Sequence, residues 1–307
     1  MTEQQTESVV VAVGNEPGRA ALAFAAAEAQ RAGCGLHLVH VVHLIAEGPE
    51  TVLVSVSDLQ ESARRLMDQT VAIARDLAGP DLAVTDEVVV GGVVPTLVDA
   101  AKRRARLLVL EHRDLSRVRR VVTRSVSSGV AAHTRVPVIS VPSGWQSEGT
   151  GTVTVGVDNP DRSTEVLKAA ADAARRRGAG LRVLHTWNFP GGYDDIIIGD
   201  AERQAWSTRA EAEIRAALDG LGAELEGVPV EIEVHRGHAA DALVEASRTS
   251  DLVVVGRHDP LVPIGSHLGP VARAVLREAR CPVLLAEPRP AHRWHRHSDT
   301  GHETAQI

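Results

Sequence analysis

The sequence predicts an α/β protein of two tandem, doubly wound, five-stranded parallel sheets, and three observations carry that reading. Short apolar runs rich in Val, Ile and Leu alternate with alanine-rich or amphipathic stretches of helical length. The whole pattern then recurs once: VVVAVG (Val9–Gly14) matches VTVGVD (Val153–Asp158), GLHLVHVV (Gly35–Val42) matches GLRVLHTW (Gly180–Trp187), and RVPVISVP (Arg135–Pro142) matches RCPVLLAE (Arg280–Glu287). The matched segments stand 144 or 145 residues apart throughout, the length of a complete domain and too long for a solenoid unit. Finally, runs such as LVVV at 252–255 are continuously apolar, as strands are when helices cover both faces of a parallel sheet.

In the first half, Val9–Val13 reads as a β-branched strand, and Ala20–Arg31 as an alanine-rich helix with Gly33 as its C-cap. Leu36–Val42 is the second strand. Leu59, Ala63, Leu66, Thr70, Ile73 and Leu77 recur at steps of four and three, a helical stripe stopped by Gly79 and Pro80. Ala83–Val90 is a third strand, Pro95–Lys102 a short helix with proline in its first turn, and Leu107–Leu110 a fourth strand. Ser125–His133 is the last helix, with Ser125 as its candidate N-cap, and Val138–Val141 the last strand. The second half repeats this with strands at Val153–Val157, Leu181–His185, Val230–Val234, Leu252–Val255 and Val283–Ala286. Its helices are expected at Thr164–Arg177, Ala201–Leu221, Ala240–Ser247 and Pro270–Ala279. The domains are therefore 1–142 and 152–287, joined by the polar, glycine-rich linker 143–151 and followed by a His-rich tail, 288–307, of disordered composition.

Composition narrows the function classes. With 44% hydrophobic and 24% charged residues the chain is an ordinary globular one, and with only 2% aromatic residues its cores must be filled by Ala, Val, Leu and Ile. The two cysteines, Cys34 and Cys281, fall in different halves, which argues against a disulfide framework; Cys281, before Pro282, reads as a small buried hydrophobe. No secretory signal pattern opens the chain and no apolar run is long enough to span a membrane, so a cytoplasmic location is expected. A net charge of -7 gives no electrostatic reason to expect nucleic acid. The sequence has no nucleophile elbow, Walker-type lysine loop, paired-cysteine motif or metalloprotease helix, so the expectation is a non-enzyme. The tail histidines His292, His295, His297 and His302 lie in a polar, unpatterned segment for which disorder is the expectation, with incidental affinity for zinc, copper or nickel left open.

Right-handed crossovers favour the strand order 3-2-1-4-5 in each half, with a crevice at the carboxyl ends of strands 1 and 4. The residues placed there are Asp158 and Gly256 in the second half, Gly14 and Glu111 in the first. The strand, Gly-containing loop and helix from Leu252 onward form the arrangement that holds anions on unpaired helix N–H groups.

From Val9 to Glu287 the chain resembles the universal stress proteins in their tandem two-domain form, most specifically in GPVARAVLREARCPVLL. The family's motif is Gly, two residues, Gly, nine residues, then Gly followed by Ser or Thr, with an Asp ending the first strand; in nucleotide-binding members these residues surround ATP. The second half aligns Asp158, Gly256, Asp259 at the second Gly, Gly269, and Pro270 at the Ser. The first half departs further, with Gly14 for the Asp, Glu111 and Asp114 for the early glycines, and Arg124 before a retained Ser125. The resemblance implies ATP as cofactor, with Mg2+ as the candidate bridging ion. It implies a cofactor-binding set of Val157, Asp158, His185, Val255, Gly256, Asp259, Gly269, Pro270, Val271 and Ala272, to which Arg257, His258 and His267 could add cations. It further implies that the last strands, VPVISVP and CPVLLAE, pair the two halves as an intramolecular pseudo-dimer, with further homodimerisation open.

The departures work against a phosphate. Pro270 lacks an N–H donor, a loss of about 1–3 kcal/mol if the ligand group stays unpaired. Asp259 about 4 Å from a phosphate charge repels it by roughly 4 kcal/mol at an effective dielectric near 20. Bland readings stand beside the functional ones: Asp158, with Asn159 and Pro160, as a turn residue; Gly256 as a strand-end turn; and His40 and His185, at equivalent strand ends, as satisfied core histidines. Two functions follow: a non-catalytic adenine-nucleotide-binding stress or signalling protein with its pocket in the second half, or a nucleotide-independent interaction module that has lost the ligand. A weak ATPase comes third.

Overall fold

The computed structural model describes residues 7–43, 56–112, 120–188, 199–257 and 268–286. In chain order the first half runs β1 (Ser8–Val13), α1 (Arg19–Ala32), β2 (Gly35–Val42), α2 (Val56–Ala78), β3 (Val84–Val90), α3 (Val93–Arg104), β4 (Ala105–His112), α4 (Arg120–His133) and β5 (Val138–Pro142). The second half runs β6 (Thr152–Val157), a 3-10 turn at Pro160–Arg162, α5 (Thr164–Arg177), β7 (Gly180–Trp187), α6 (Asp200–Asp219), a 3-10 turn at Gly222–Leu225, β8 (Val230–Arg236), α7 (Ala239–Ala246), β9 (Leu252–Gly256), α8 (Pro270–Glu278) and β10 (Val283–Ala286). Gly33 and Gly178 end α1 and α5 in the left-handed conformation, at φ 61° and 62°, so the duplicated C-cap is a backbone requirement that glycine meets without strain.

Strands within each half pair in parallel in the expected order, β3-β2-β1-β4-β5 and β8-β7-β6-β9-β10. The halves join edge to edge, because β5 and β10 pair antiparallel with Ile139 opposite Leu284, giving one ten-stranded sheet whose order reads alike from either end. Both strands are buried over this stretch and apolar except for Ser140, and pairing removes the exposed edge each would otherwise present. Alternation along the strands divides the interior into two cores. Val9, Val11 and Val13 face a layer containing Leu22 of α1 and Met67 of α2, with Leu167 of α5 and Ile214 of α6 in the same core. Val10 faces the other layer, with Leu97 of α3, Val130 of α4, Leu243 of α7 and Val275 of α8. Among the described residues no helix is long and apolar enough to cross a membrane.

A buried charged cluster spans the seam on the α1/α5 side. Arg177 Nη2 lies 2.5 Å from Glu28 Oε1, with the two side chains only 7% and 6% exposed. Arg31 Nη1 reaches the same oxygen at 2.6 Å. The Arg177 guanidinium also sits 5.8 Å from the centroid of Phe24, and Phe24 packs edge-on against Trp145 of the linker at 5.6 Å between centroids. The repeat places Ala173, Ala32 and Ala169 at the positions equivalent to Glu28, Arg177 and Phe24. Three alanines therefore occupy the other side of the local two-fold. A cavity of about 380 Å3 opens beside them, lined also by Arg106 and Lys168. A second of about 650 Å3 lies on the Phe24 and Trp145 side.

The duplication also diverges between the second and third strands of each half. His37 on β2 is buried, with Nδ1 2.8 Å from Thr85 Oγ1 and Nε2 3.5 Å from Glu87 Oε1. Burial lowers its pKa, only partly opposed by Glu87. In the second half Arg182 stands in its place and pairs with Glu233 at 3.0 Å. Because the folded-state pKa of His37 lies below the unfolded value, the unfolded chain takes up a proton first as pH falls through about 6.5. Stability is thus full above that pH and declines below it. Urea unfolding at pH 7.5 and 5.5 should show a smaller acid-dependent loss for His37→Gln than for the parent; equal losses would mean that His37 is not a source of the slope.

The two thiols differ in reach. Cys281 is 2% exposed, hydrogen-bonds the Pro282 carbonyl through Sγ at 3.5 Å, and has its pKa pushed up to about 12 by burial. Partial burial raises that of Cys34 as well, but it keeps some exposure. Ellman's reagent at pH 8 is expected to label Cys34 slowly and Cys281 only in denaturant. Native-state labelling that survives Cys34→Ser would contradict this.

Candidate functional site

The second-half crevice starts where β6 ends. Val157 is buried and Asp158, the next residue, is exposed. The turn that follows is built by its neighbours: Asn159 Oδ1 accepts from the Asp161 amide at 3.0 Å, Pro160 opens the 3-10 turn, and Ser163 Oγ donates to the Asn159 carbonyl at 2.7 Å. Asp158 has no hydrogen-bond or ion-pair partner among the described residues, so the turn-residue reading does not account for its carboxylate.

Strand β9 lies beside β6 in parallel, with Val254 opposite Val155, a register that brings Gly256 level with Val157, the residue before Asp158. Among the described residues a Cβ added at Gly256 would meet only Val166, at 3.9 Å. Helix α8 returns the chain to β10, which runs parallel to β9, so its N-terminus faces the same end of the sheet. It begins at Pro270, directly after the N-cap Gly269, and no side chain caps it. Proline costs the helix itself nothing at its first position, where the ring fixes a φ suited to starting a helix, but it withholds from an anion one of the first-turn N–H groups that lack intrahelical partners. The donors that matter there are the amides of Val271 and Ala272.

His185 and His40 serve the same end in both halves. His185 Nδ1 is 2.9 Å from the Val157 carbonyl, and His40 Nδ1 is 3.0 Å from that of Val13. Each ties the end of the second strand to the end of the first, as the core-histidine reading expects, and His185 borders the crevice through Val157.

The first half carries a carboxylate where the second carries glycine. Glu111, at the position of Gly256, places its carboxylate against Gly18, the N-cap residue of α1; a Cβ there would lie 2.6 Å from Glu111 Oε2. The chain thus supplies its own anion at the positive end of α1. Helix α4 begins at Arg120, so Ser125 lies in its second turn and is not the N-cap the sequence suggested. Proline at the equivalent position stops α8 from extending backward; Ser125 imposes no such stop, and no helix start is offered at that point.

Arg257 is also corrected. It was a candidate cation for phosphate, yet it is 7% exposed and turned away into the seam. Its Nη1 donates to the carbonyls of Ala131 (2.8 Å) and Thr134 (2.6 Å), and Nη2 to those of Val136 (2.7 Å) and Leu285 (3.4 Å). Asp114, His258, Asp259, His267 and the tail histidines lie outside the described residues. Among the described residues no cluster of His, Cys, Asp and Glu is arranged to hold a metal ion. The two seam cavities touch none of the residues expected in the crevice. Sequence reasoning missed Arg257's true position as well as the Glu28–Arg177 pair. The signal for the pair was present in the repeat, as charged residues in one half facing alanines in the other.

Two halves of strand order 3-2-1-4-5, each with a crevice at its topological switch point, define a duplicated, doubly wound α/β protein. The chain belongs to the universal stress protein family, which matches residues 6–142 and 149–287. It is 31% identical over 308 residues to universal stress protein Rv1996 of Mycobacterium tuberculosis, covering 93% of this chain and 97% of that one. It is 29% identical over 283 residues to a universal stress protein of Mycolicibacterium smegmatis, covering 88% and 93%. Among solved structures, a universal stress protein from Archaeoglobus fulgidus overlays 92% of this chain and 97% of its own at a TM-score of 0.68 and 16% identity, a likeness of fold. Universal stress proteins have also been solved in complex with cAMP and with dAMP, but they overlay only 45% of this chain at TM-scores of 0.36 and 0.34, and what they bind is a fact about them alone.

Proposed function

We propose that this universal stress protein is a non-catalytic adenine-nucleotide-binding stress or signalling protein whose pocket lies in the second half. The observation that carries the reading is the unpartnered Asp158 beside the exposed backbone of Gly256. Asp158 would accept hydrogen bonds from the adenine amino group or the ribose hydroxyls, and Gly256 would let the nucleotide approach the end of β9. The phosphates would lie toward the free amides of Val271 and Ala272 at the start of α8, with Mg2+ offsetting nearby carboxylate charge. The test is to denature the purified chain, assay released adenine nucleotide, and follow thermal unfolding with added Mg-ATP. At about 100 times Kd, binding should stabilise the protein by roughly 2.7 kcal/mol. Asp158→Ala should weaken affinity by about tenfold or more. Neither released nucleotide nor a thermal shift would sink the reading.

A nucleotide-independent interaction module is the second reading, favoured by Arg257. The one cationic side chain described on this loop is committed to the other half, as in a loop held for structure. In the same experiment that reading expects no nucleotide and no shift.

A further inference from the structure

Residue 257 is where the second-half crevice meets the first half. The last β9–β10 pairing is Gly256 with Ala286, and the Arg257 amide reaches the Ala286 carbonyl only at 3.4 Å. The side chain is held more tightly, by three bonds of 2.6–2.8 Å to carbonyls of the first half. Two of these, from Ala131 and Thr134, belong to the end of α4, where helix carbonyls lack intrahelical partners and the dipole is negative; a buried guanidinium is well matched to that end. The bonds hold a local network in place, in which the Thr134 amide donates to Val130 at 3.1 Å and the Val136 amide to Thr134 Oγ1 at 3.1 Å. The repeat puts His112 at the equivalent position of the first half, so the duplication supplies a different side chain for the reverse connection.

We propose that Arg257 is a coupling residue that transmits nucleotide occupancy of the second-half crevice to the end of α4 and the entry of β5 in the first half. The proposal rests on the reading that the crevice binds an adenine nucleotide. Displacement of the backbone at 256–257 on binding is passed by a buried side chain, held at its guanidinium end, to three carbonyls of the other half. The degenerate half thereby becomes the responsive surface of the occupied one. Coupling of this kind is reciprocal, so a change at Arg257 must also change the affinity for nucleotide.

The experiment is hydrogen exchange on the full chain with and without saturating Mg-ATP, read at the Thr134 and Val136 amides, for the parent, Arg257→Met and Arg257→Lys. Glu28→Gln serves as a control that weakens the seam without touching the loop. In the parent and in Glu28→Gln, Mg-ATP should slow exchange at these amides by about threefold or more. In Arg257→Met that response should vanish and affinity for Mg-ATP should fall by about tenfold, with Arg257→Lys intermediate in both. A residue with only a structural role would lower stability and leave affinity and response as in the control. If Arg257→Met does not fold, Arg257→Lys alone decides: parental affinity and a parental response overturn the proposal. Parental binding without any change at Thr134 and Val136 overturns it while leaving nucleotide binding intact. Absence of binding in the parent overturns both.

Discussion

Glu28→Ala should lower the unfolding free energy by about 3–5 kcal/mol, the usual cost of breaking a buried ion pair by removing one partner. The carboxylate is shared between Arg177 and Arg31, at 2.5 and 2.6 Å, so its loss leaves two guanidinia facing each other, one of them 7% exposed. Desolvation already lowers the pKa of Arg177, with Glu28 the main opposing influence; removing that influence leaves the cation buried without its principal counter-charge. Arg177→Ala should cost less, about 1–3 kcal/mol, because Glu28 keeps Arg31 as a partner. The double variant should be more stable than Glu28→Ala alone, since it removes the stranded charge. It also reproduces the alanines that the repeat already carries at 173 and 32. Urea unfolding of the four proteins decides the matter; strictly additive losses would mean the pair is not a coupled unit.

That asymmetry also shows what the sequence could and could not disclose. The order of elements, the two-half organisation and the strand order within each half follow from local patterns, such as continuous apolar strands, glycine stops at Gly33 and Gly178, and a repeat of nearly constant spacing. Strand order likewise sets the ends of β6 and β9 side by side, which carries Asp158 and Gly256 to the same end of the sheet. Less legible was anything decided by side-chain direction across the seam. Arg257 follows Gly256 in sequence and reads as a phosphate cation, but the end of β9 points it at the open carbonyls of α4. Nor does sequence identify which of several turn-forming residues forms the turn. Asp158, Asn159 and Ser163 are all suited to it, and the hydrogen bonds assign it to Asn159 and Ser163. Pro270 reads at two levels: at the first position of α8 it leaves the helix intact, and it leaves Val271 and Ala272 to supply the amides that face an anion.

Gly256→Glu should abolish adenine-nucleotide binding while leaving the fold almost unchanged, because Gly256 is exposed at the end of its strand. Glu111 occupies the equivalent strand end, and its carboxylate rests against the N-cap of α1 at Gly18. The residue equivalent to Gly18 is Ser163, whose Cβ fills the space that Gly18 leaves to Glu111, so a glutamate at 256 must turn outward from the exposed end of β9 instead. Among the described residues a Cβ at Gly256 would touch only Val166, at 3.9 Å, an ordinary van der Waals distance. Gly256 is not in the left-handed region, so a side chain there adds no backbone strain. Stability should therefore change by no more than about 1 kcal/mol. Affinity should fall by about a thousandfold, since a carboxylate about 4 Å from a phosphate opposes it by roughly 4 kcal/mol at an effective dielectric near 20. Calorimetric titration of Mg-ATP into the parent and the variant, paired with urea unfolding of both, reads the two quantities separately. Binding that survives Gly256→Glu in a folded protein would move the nucleotide away from the β6–β9 crevice. Loss of the fold would show that Glu111 is tolerated for reasons peculiar to the first half.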